Sequence, residues 1–275
     1  MTLLDGRALA AAIRERTAGE AAALAPVLAA VVATEDPATE WYLGSIVKAA
    51  AAVGIELRES RLGVDDAGGV ISTLEALSAD PEIDGIICLT PLPPSLTLAE
   101  AGERIAPGKD VDGSSPLSLG RLAAGLPAFA PATAQAVIEL LHHAGTELAG
   151  AEAVVVGRST VVGKPLALLL LAEHATVTVC HTRTRDLASV TRRADVLVAA
   201  AGRARLLGAE HVRPGSIVID VGTNEDPDEG MVGDVDTDAV EPVAAGITPV
   251  PGGVGPVTTS VLLRNVVTCA RARAG

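Results

Sequence analysis

The chain has 275 residues, of which 49% are hydrophobic and only 1% are aromatic, so its core is expected to consist of Ala, Val, Leu and Ile. This length suits one large or two moderate domains, and aliphatic cores are typical of parallel strands covered by helices. The formal net charge of −13 argues against nucleic acid as a partner, because neutralising phosphates requires a basic surface.

Neither the N-terminus nor the cysteines indicate an exported or metal-binding protein. Residues 1–16 carry early charges and no uninterrupted apolar block, so neither a signal peptide nor a membrane-spanning helix is predicted. The three cysteines, Cys88, Cys180 and Cys269, are far apart and form no CxxC motif, which argues against disulfides and against a metal site. A cytoplasmic protein without a membrane partner is expected.

Short apolar runs alternate with Ala- and Leu-rich stretches in the first half, the order expected of parallel strands joined by helices. In chain order the predicted elements are a helix at 8–24, a strand at 26–33, a helix at 36–53, a strand at 55–61, a helix at 70–79 and a strand at 85–89. A composition break at residues 126–133, followed by a helix at 134–144, marks the expected domain junction.

The second half repeats this alternation. Strands are predicted at 153–156, 176–180, 196–200 and 216–221, helices at 164–173 and 187–193, and a last helix after Thr259 to about residue 273. The sequence therefore predicts an α/β protein of two domains, the first at 1–140 plus 251–275 and a second, Rossmann-type domain at 141–250. Cofactor and substrate are expected to meet in a cleft between them.

The segment from Val154 to Pro165 has the features of a phosphate-binding loop. An apolar strand ends at Gly157, the chain turns through small polar residues, and a helix with an early proline follows Gly163. Glycines allow close approach to a pyrophosphate, and a helix N-terminus offers free N–H groups with partial positive charge. The spacing differs from GxGxxG, so a strand–turn–helix junction without a ligand stays an alternative for this loop taken alone.

The end of the next strand favours NADP over NAD. An NAD site usually has a carboxylate there, whereas Cys180 is followed by His181, Thr182 and Arg183, with no acidic residue before Asp186. Together with Arg158 in the loop, Thr182 and Arg183 are predicted to form a local anion site suited to a 2′-phosphate.

Seven blocks in order resemble the methylenetetrahydrofolate dehydrogenase/cyclohydrolase family over nearly the full chain. They are LDGRALA (4–10), EDPATEWY (35–42), PGKDVDG (107–113), VVVGRSTVVGKP (154–165), RPGSIVIDVG (213–222), VGDVD (232–236) and TPVPGGVGPVTT (248–259). The resemblance implies a folate-binding domain first, an NADP domain second, a reduced folate as substrate, and a homodimer formed through the Rossmann domains.

The resemblance also implies roles for individual residues. Tyr42 matches the tyrosine that stacks on the aminobenzoate part of the folate, and Asp112 matches the aspartate that hydrogen-bonds the pterin. Pro251, Gly252 and Gly253 match the loop between substrate and nicotinamide. The cofactor-binding candidates are Gly157, Arg158, Ser159, Val162, Gly163, Pro165, Thr182, Arg183 and Gly253.

Two positions depart from the family pattern. The family's catalytic lysine lies four residues after the tyrosine, where this chain has Ile46, and the glutamine that hydrogen-bonds that lysine is replaced by Leu89. Lys48 does not substitute for the lysine, because two residues correspond to about 200° around a helix. Since both members of a polar pair have become aliphatic, no buried polar group is left unpaired.

These departures predict that dehydrogenase activity is retained while cyclohydrolase activity is lost or very weak. Hydride transfer depends mainly on alignment, whereas adding water needs an acid/base group, a contribution of about 10²–10⁴-fold. Two alternatives stay open: an NADP-dependent oxidoreductase of a modified folate or cyclic aminal, and a non-catalytic folate- or NADP-binding subunit. Lys109 is expected to be a loop cation. Structural roles are expected for Asp220, Asp234 and Asp236, with shaping of the cofactor pocket as the alternative.

Overall fold

The computed structural model describes residues 1–274. Its packing divides the chain into two compact units, one combining residues 11–132 with the chain from Thr259 onward, the other combining residues 1–10 with residues 133–258. An α/β protein of two domains is therefore confirmed. The domain boundaries expected at residues 140 and 250 stay a prediction.

The predicted helices and strands are present, with ends displaced by at most three residues except for the last helix. The first part contains β1 (Thr2–Leu3), α1 (Gly6–Ala21), β2 (Val27–Val32), α2 (Pro37–Ala52), β3 (Glu56–Arg61), α3 (Ala67–Ala79), β4 (Gly85–Cys88), α4 (Leu98–Gly102), α5 (Pro116–Ala123) and α6 (Ala132–His143). The second contains β5 (Glu152–Val156), α7 (Gly163–Ala172), β6 (Thr176–Cys180), α8 (Leu187–Thr191), β7 (Val196–Ala199), β8 (Ile217–Asp220), β9 (Asn224–Asp226), β10 (Gly230–Val232), α9 (Thr237–Val240), β11 (Gly246–Ile247) and α10 (Val254–Ala274). Short 3-10 helices lie at Pro107–Lys109 and Ala209–His211.

The unit of residues 11–132 is built on a parallel sheet in the order β3-β2-β4. Every residue of the central strand β2 is buried, as expected when helices cover both faces. Val27 and Val31 share a core cluster with Val70 and Leu74 of α3, so α3 covers that face. Because crossovers between parallel strands are right-handed as a rule, and the two crossovers of this sheet run in opposite directions, α2 is expected on the other face.

The other unit contains a six-stranded sheet in the order β1-β11-β8-β7-β5-β6, with all neighbours parallel. Its register pairs Val156 with both Cys180 and Ala199, and Ala199 with Asp220. The carboxyl ends of four strands therefore lie level at one edge, which is where open α/β sheets bind their ligands.

The last helix begins at Val254, so the prediction that it starts after Thr259 was wrong. Gly255 and Pro256 are residue types typical of loops, yet they occupy the first turn of α10. Proline is tolerated there because the first N–H groups of a helix have no acceptor within the helix. Neither α10 nor another helix in residues 1–274 combines the length and the apolar character needed to cross a membrane.

Lys109 secures the end of α3. Its Nζ donates hydrogen bonds to the carbonyl oxygens of Leu77, Ser78 and Asp80, at 3.2, 2.8 and 2.5 Å. A cation at these carbonyls also interacts favourably with the negative end of the helix dipole. The predicted loop cation therefore has a structural role, as a side-chain cap.

Candidate functional site

The start of α2 is fixed by local hydrogen bonds that position the residues following it. The Asp36 carboxylate accepts a hydrogen bond from the Thr39 N–H at 2.9 Å, and Pro37 occupies the first turn. The Thr39 hydroxyl donates to the carbonyl oxygen of Thr90 at 2.7 Å, which ties α2 to the loop after β4. An aspartate cap followed by proline is a strong helix start, so this placement follows from the sequence.

Tyr42 and Ile46 lie one turn apart on α2, but they differ in exposure. Ile46 is completely buried and belongs to the core-facing stripe of the helix together with Leu43 and Ala50. Tyr42 is only partly buried, and Lys48 is exposed. The position at which the family pattern has a lysine is thus a core position in this chain, and the neighbouring lysine points to solvent.

Leu89 follows β4 and is 4% exposed. Its N–H donates to the carbonyl oxygen of Val31 at 2.9 Å, continuing the pairing of β4 with β2. Cys88 belongs to the core cluster on the α3 side. Since successive side chains along a strand point to opposite faces, Leu89 faces the α2 side, where Ile46 is also buried.

The two aspartates of the segment KDVDG have different surroundings. The Asp110 carboxylate is buried and accepts hydrogen bonds from the N–H groups of Ser114 and Ser115 and from the Ser118 hydroxyl, at 2.9, 3.1 and 2.6 Å. Asp112 accepts one long hydrogen bond, 3.3 Å, from the N–H of Ala132. Asp110 therefore organises the loop, whereas Asp112 keeps acceptor capacity for a ligand.

The charge of Asp112 acts on the Tyr42 hydroxyl. Burial raises the pKa of Asp112 to about 7; the nearby charge of Asp110 adds to the rise, and the N–H of Ala132 opposes it. Burial also raises the pKa of the Tyr42 hydroxyl, and the charge of Asp112 contributes to that rise. The structure thus brings together a tyrosine and a carboxyl group that titrates near neutral pH, two features of a ligand-binding site.

In the other unit, the loop between β5 and α7 depends on its two glycines. Gly157 has φ of +149°, and a Cβ atom there would overlap the carbonyl oxygen of Ala200. A Cβ at Gly163 would overlap the carbonyl oxygen of Gly157. The backbone is therefore packed closely on itself at the start of α7, while residues 158–160 of the loop before it are exposed, an arrangement of the kind that binds phosphate.

Ser159 shapes this turn from within. Its hydroxyl oxygen accepts hydrogen bonds from the N–H groups of Val162 and Gly163 at 3.1 and 3.4 Å. Pro165 is buried in the first turn of α7. Arg158, which precedes Ser159 in the sequence, is exposed. The sequence indicated Ser159 as a cofactor contact; the structure adds that its oxygen caps the helix, while its proton stays available to a ligand.

The turn after β6 lies next to this loop. The Gly157 N–H donates to the carbonyl oxygen of Cys180 at 2.9 Å, and the His181 N–H donates to the Thr184 hydroxyl at 2.9 Å. Thr182 and Arg183 are exposed on this turn. The first acidic residue, Asp186, accepts a hydrogen bond from the N–H of Ser189 at the start of α8, so its carboxylate is engaged there.

The segment Pro251–Gly253 packs against the N-terminus of the chain. The Gly6 N–H donates to the carbonyl oxygen of Gly252 at 3.0 Å. Gly252 has φ of +117°, and a Cβ there would lie 2.6 Å from the Arg7 guanidinium. Sequence reasoning missed Arg7, because nothing in the local pattern shows that residues 6 and 252 are neighbours.

Two family models together cover most of the chain. The model described as "Tetrahydrofolate dehydrogenase/cyclohydrolase, catalytic domain" matches residues 4–112, and the one described as "Tetrahydrofolate dehydrogenase/cyclohydrolase, NAD(P)-binding domain" matches residues 131–274. A protein named bifunctional protein FolD from Parafrankia sp. is 58% identical, over 98% of this chain and 99% of the relative. Another of that name from Nocardia farcinica is 56% identical, over 99% and 98%.

Solved structures agree with these relatives. The bifunctional enzyme FolD from Campylobacter jejuni superposes with a TM-score of 0.95 at 39% identity, covering 99% of both chains. The methylenetetrahydrofolate dehydrogenase-cyclohydrolase from Trypanosoma brucei, complexed with NADP and an inhibitor, gives 0.94 at 36% identity, covering 100% of this chain and 98% of that one. The family models, the relatives and the glycine loop at the sheet edge lead to one conclusion: the chain belongs to the tetrahydrofolate dehydrogenase/cyclohydrolase family.

Proposed function

We propose that the chain is an NADP-dependent 5,10-methylenetetrahydrofolate dehydrogenase whose cyclohydrolase activity is lost or very weak. The names of its relatives support the dehydrogenase activity over a modified-folate oxidoreductase or a non-catalytic subunit. The complete burial of Ile46, at the family's lysine position, supports the proposed loss of cyclohydrolase activity. An isoleucine in the core neither donates nor accepts a proton.

The residues of this chain fit NADP. Gly157 and Gly163, where a Cβ would overlap backbone carbonyl oxygens, let the chain turn tightly into the N-terminus of α7, where a pyrophosphate can bind. Arg158, Thr182 and Arg183 supply donors for the 2′-phosphate. When bound, NADP supplies the hydride acceptor.

Oxidation removes a hydride, with its electron pair, from the bridging carbon of the substrate, and the resulting cation is shared by the two adjacent nitrogens. No proton is exchanged, so the protein's contribution is binding and alignment. Tyr42 supplies a ring for the aminobenzoate part, and Asp112 accepts hydrogen bonds from the pterin. Ile46 and Leu89 provide aliphatic walls without an acid or base to activate water.

Turnover of the two steps tests this proposal. With methylenetetrahydrofolate and NADP, we expect NADPH to form and methenyltetrahydrofolate to accumulate. With purified methenyltetrahydrofolate as substrate, we expect the rate of hydrolysis to be about 10²-fold or more below that of a family member that has the lysine. This is the usual contribution of a positioned acid/base group. Equal rates of hydrolysis would contradict the proposed loss, and absence of NADPH formation would contradict the dehydrogenase.

Cofactor preference gives a separate prediction. Arg183→Ala is expected to lower kcat/KM with NADP by about tenfold or more, because a charge-assisted hydrogen bond to phosphate contributes about 1.5–3 kcal/mol. Activity with NAD should stay nearly unchanged, since NAD has no 2′-phosphate. Arg185→Ala, an exposed arginine two residues on, is the matched control, and steady-state kinetics with both cofactors measures the difference.

We also infer a homodimer formed through the six-stranded unit. β6 is an edge strand of that sheet, and Val179 on it is 39% exposed while Leu171 is 60% exposed. An apolar, unpaired strand edge is suited to pairing with a second copy. A monomeric mass in light scattering would contradict this. A cytoplasmic location and the absence of a nucleic-acid partner are predicted from the sequence, and both stay predictions.

A further inference from the structure

Two buried aspartates hold the loops at the carboxyl edge of the six-stranded sheet. Asp220 is the last residue of β8 and pairs with Ala199, the last residue of β7. Asp234 follows β10. Asp220 is 2% exposed and Asp234 is completely buried. Burying carboxylates is costly unless their oxygens are hydrogen-bonded, so their partners indicate what these residues do.

Asp234 gathers the loop that follows β7. Its carboxylate accepts hydrogen bonds from three consecutive backbone N–H groups, those of Ala201, Gly202 and Arg203, at 2.5, 2.9 and 2.8 Å. The amide of Asn224 donates a fourth, at 3.0 Å. Successive N–H groups that converge on one anion fix the backbone of their loop.

Asp220 in turn holds the segment that carries Asp234. Its carboxylate accepts hydrogen bonds from the N–H groups of Gly222, Asp234 and Val235 at 2.8, 3.0 and 2.8 Å. Gly222 and Gly233 leave no room for a side chain, because a Cβ at either would overlap one of the two carboxylates. The backbone after β8 and the backbone around residue 234 are thereby locked together.

The loop fixed by Asp234 contacts the phosphate loop directly. Ala200, which precedes the three N–H groups, presents its carbonyl oxygen to Gly157 so closely that only glycine fits. The Ala200 N–H donates to the carbonyl oxygen of Val156 at 2.8 Å. The carboxylate of Asp234 therefore holds residues 201–203, which directly follow the residue packed against the first glycine of the dinucleotide loop.

We propose that Asp234 is a positioning residue for the dinucleotide cofactor, acting through the loop Ala201–Arg203. Its complete burial excludes direct contact with the cofactor, so its effect passes through the backbone it holds. The inference rests on the proposed function in that the ligand at this edge is NADP.

Asp234→Asn tests the proposal, because the amide keeps the shape but loses the charge and one acceptor oxygen. We expect Kd and KM for NADP to rise by about tenfold or more, the effect of losing hydrogen bonds to a charged group. At saturating NADP, kcat and the KM for the folate should stay within about threefold. A purely structural role would lower the yield of folded protein without this split.

Asp236→Asn is the matched control. Asp236 lies two residues away and caps α9 through the N–H of Ala239, at 3.2 Å, a contact that asparagine also makes. Asn224→Ala removes one donor to Asp234 and should raise the Kd for NADP by a smaller factor. If Asp234→Asn does not fold, this variant tests the proposal instead, and an unchanged Kd would overturn it.

Titration calorimetry measures NADP binding in the absence of folate, so it tests the role of Asp234 separately from the proposed dehydrogenase activity. If the wild-type chain binds NADP but oxidises no folate, the proposed function fails while the role of Asp234 is still measured. A folded Asp234→Asn variant that binds NADP as tightly as the wild-type chain overturns the inference.

Discussion

The double substitution Ile46→Lys with Leu89→Gln is expected to raise methenyltetrahydrofolate hydrolysis by about 10²-fold or more over the wild-type chain, the usual contribution of a positioned acid/base group. Both side chains are almost completely buried in the wild-type chain, so the double variant is designed to pair the introduced ammonium with the introduced amide. Hydrolysis is followed by the loss of the methenyl absorbance, and dehydrogenase turnover is recorded for the same samples.

The single substitutions separate chemistry from stability. Ile46→Lys alone buries an ammonium without a partner and should lower the free energy of unfolding by about 3 kcal/mol or more. Val47→Lys, one residue further along α2 and about 100° around the helix, is the matched control and should give no gain in hydrolysis. Wild-type hydrolysis as fast as that of the double variant would show that Ile46 and Leu89 do not limit this step.

Asp112→Asn is expected to reduce kcat/KM for the folate by about 10- to 100-fold, because hydrogen bonds to a charged acceptor contribute about 1.5–3 kcal/mol. Within residues 1–274 the carboxylate accepts one hydrogen bond, a long one, so most of its capacity serves the ligand. In the wild-type chain the folate KM should fall as pH rises through about 7, where Asp112 ionises, and this dependence should disappear in the variant.

The same substitution should stabilise the free protein at alkaline pH. The pKa of Asp112 is about 7 in the folded chain against an ordinary value of 3.8. Between about pH 4 and 7 the folded state therefore holds a proton that the unfolded state has released. Stability contributed by this group therefore falls as pH rises through that window. Asparagine removes that loss, and urea unfolding at pH 8 should show a higher free energy of unfolding.

Asp110→Asn provides the contrast within the same motif. Its carboxylate is hydrogen-bonded by Ser114, Ser115 and Ser118, so the substitution should lower stability at pH 8, by about 1–3 kcal/mol. A destabilised Asp112→Asn variant, or a stabilised Asp110→Asn variant, would contradict the assignment of one carboxylate to the ligand and the other to the loop.

The sequence was sufficient for the order of the longer strands and helices in both units, whereas the short elements β1, α4, α5, β9, β10, α9 and β11 were not predicted. Buried parallel strands such as β2 appear as continuous aliphatic runs, and the start of α2 is marked by Asp36 and Pro37, so local chemistry alone specifies these elements. The phosphate loop was recognisable for the same reason, because a strand, two glycines and a helix start are adjacent in the chain.

Other features depend on contacts between residues that are distant in sequence. The pairing of β1 with β11, the packing of Gly6 against Gly252 and the start of α10 at Val254 leave no local pattern that predicts them. The sequence could propose Asp112 for the pterin but not its elevated pKa, which arises from burial and from Asp110. Composition and spacing thus determined the main elements, and the family resemblance supplied the folate-site candidates. The tertiary structure decided which carboxylates are engaged, because hydrogen-bond partners and burial are set by chain segments that meet only on folding.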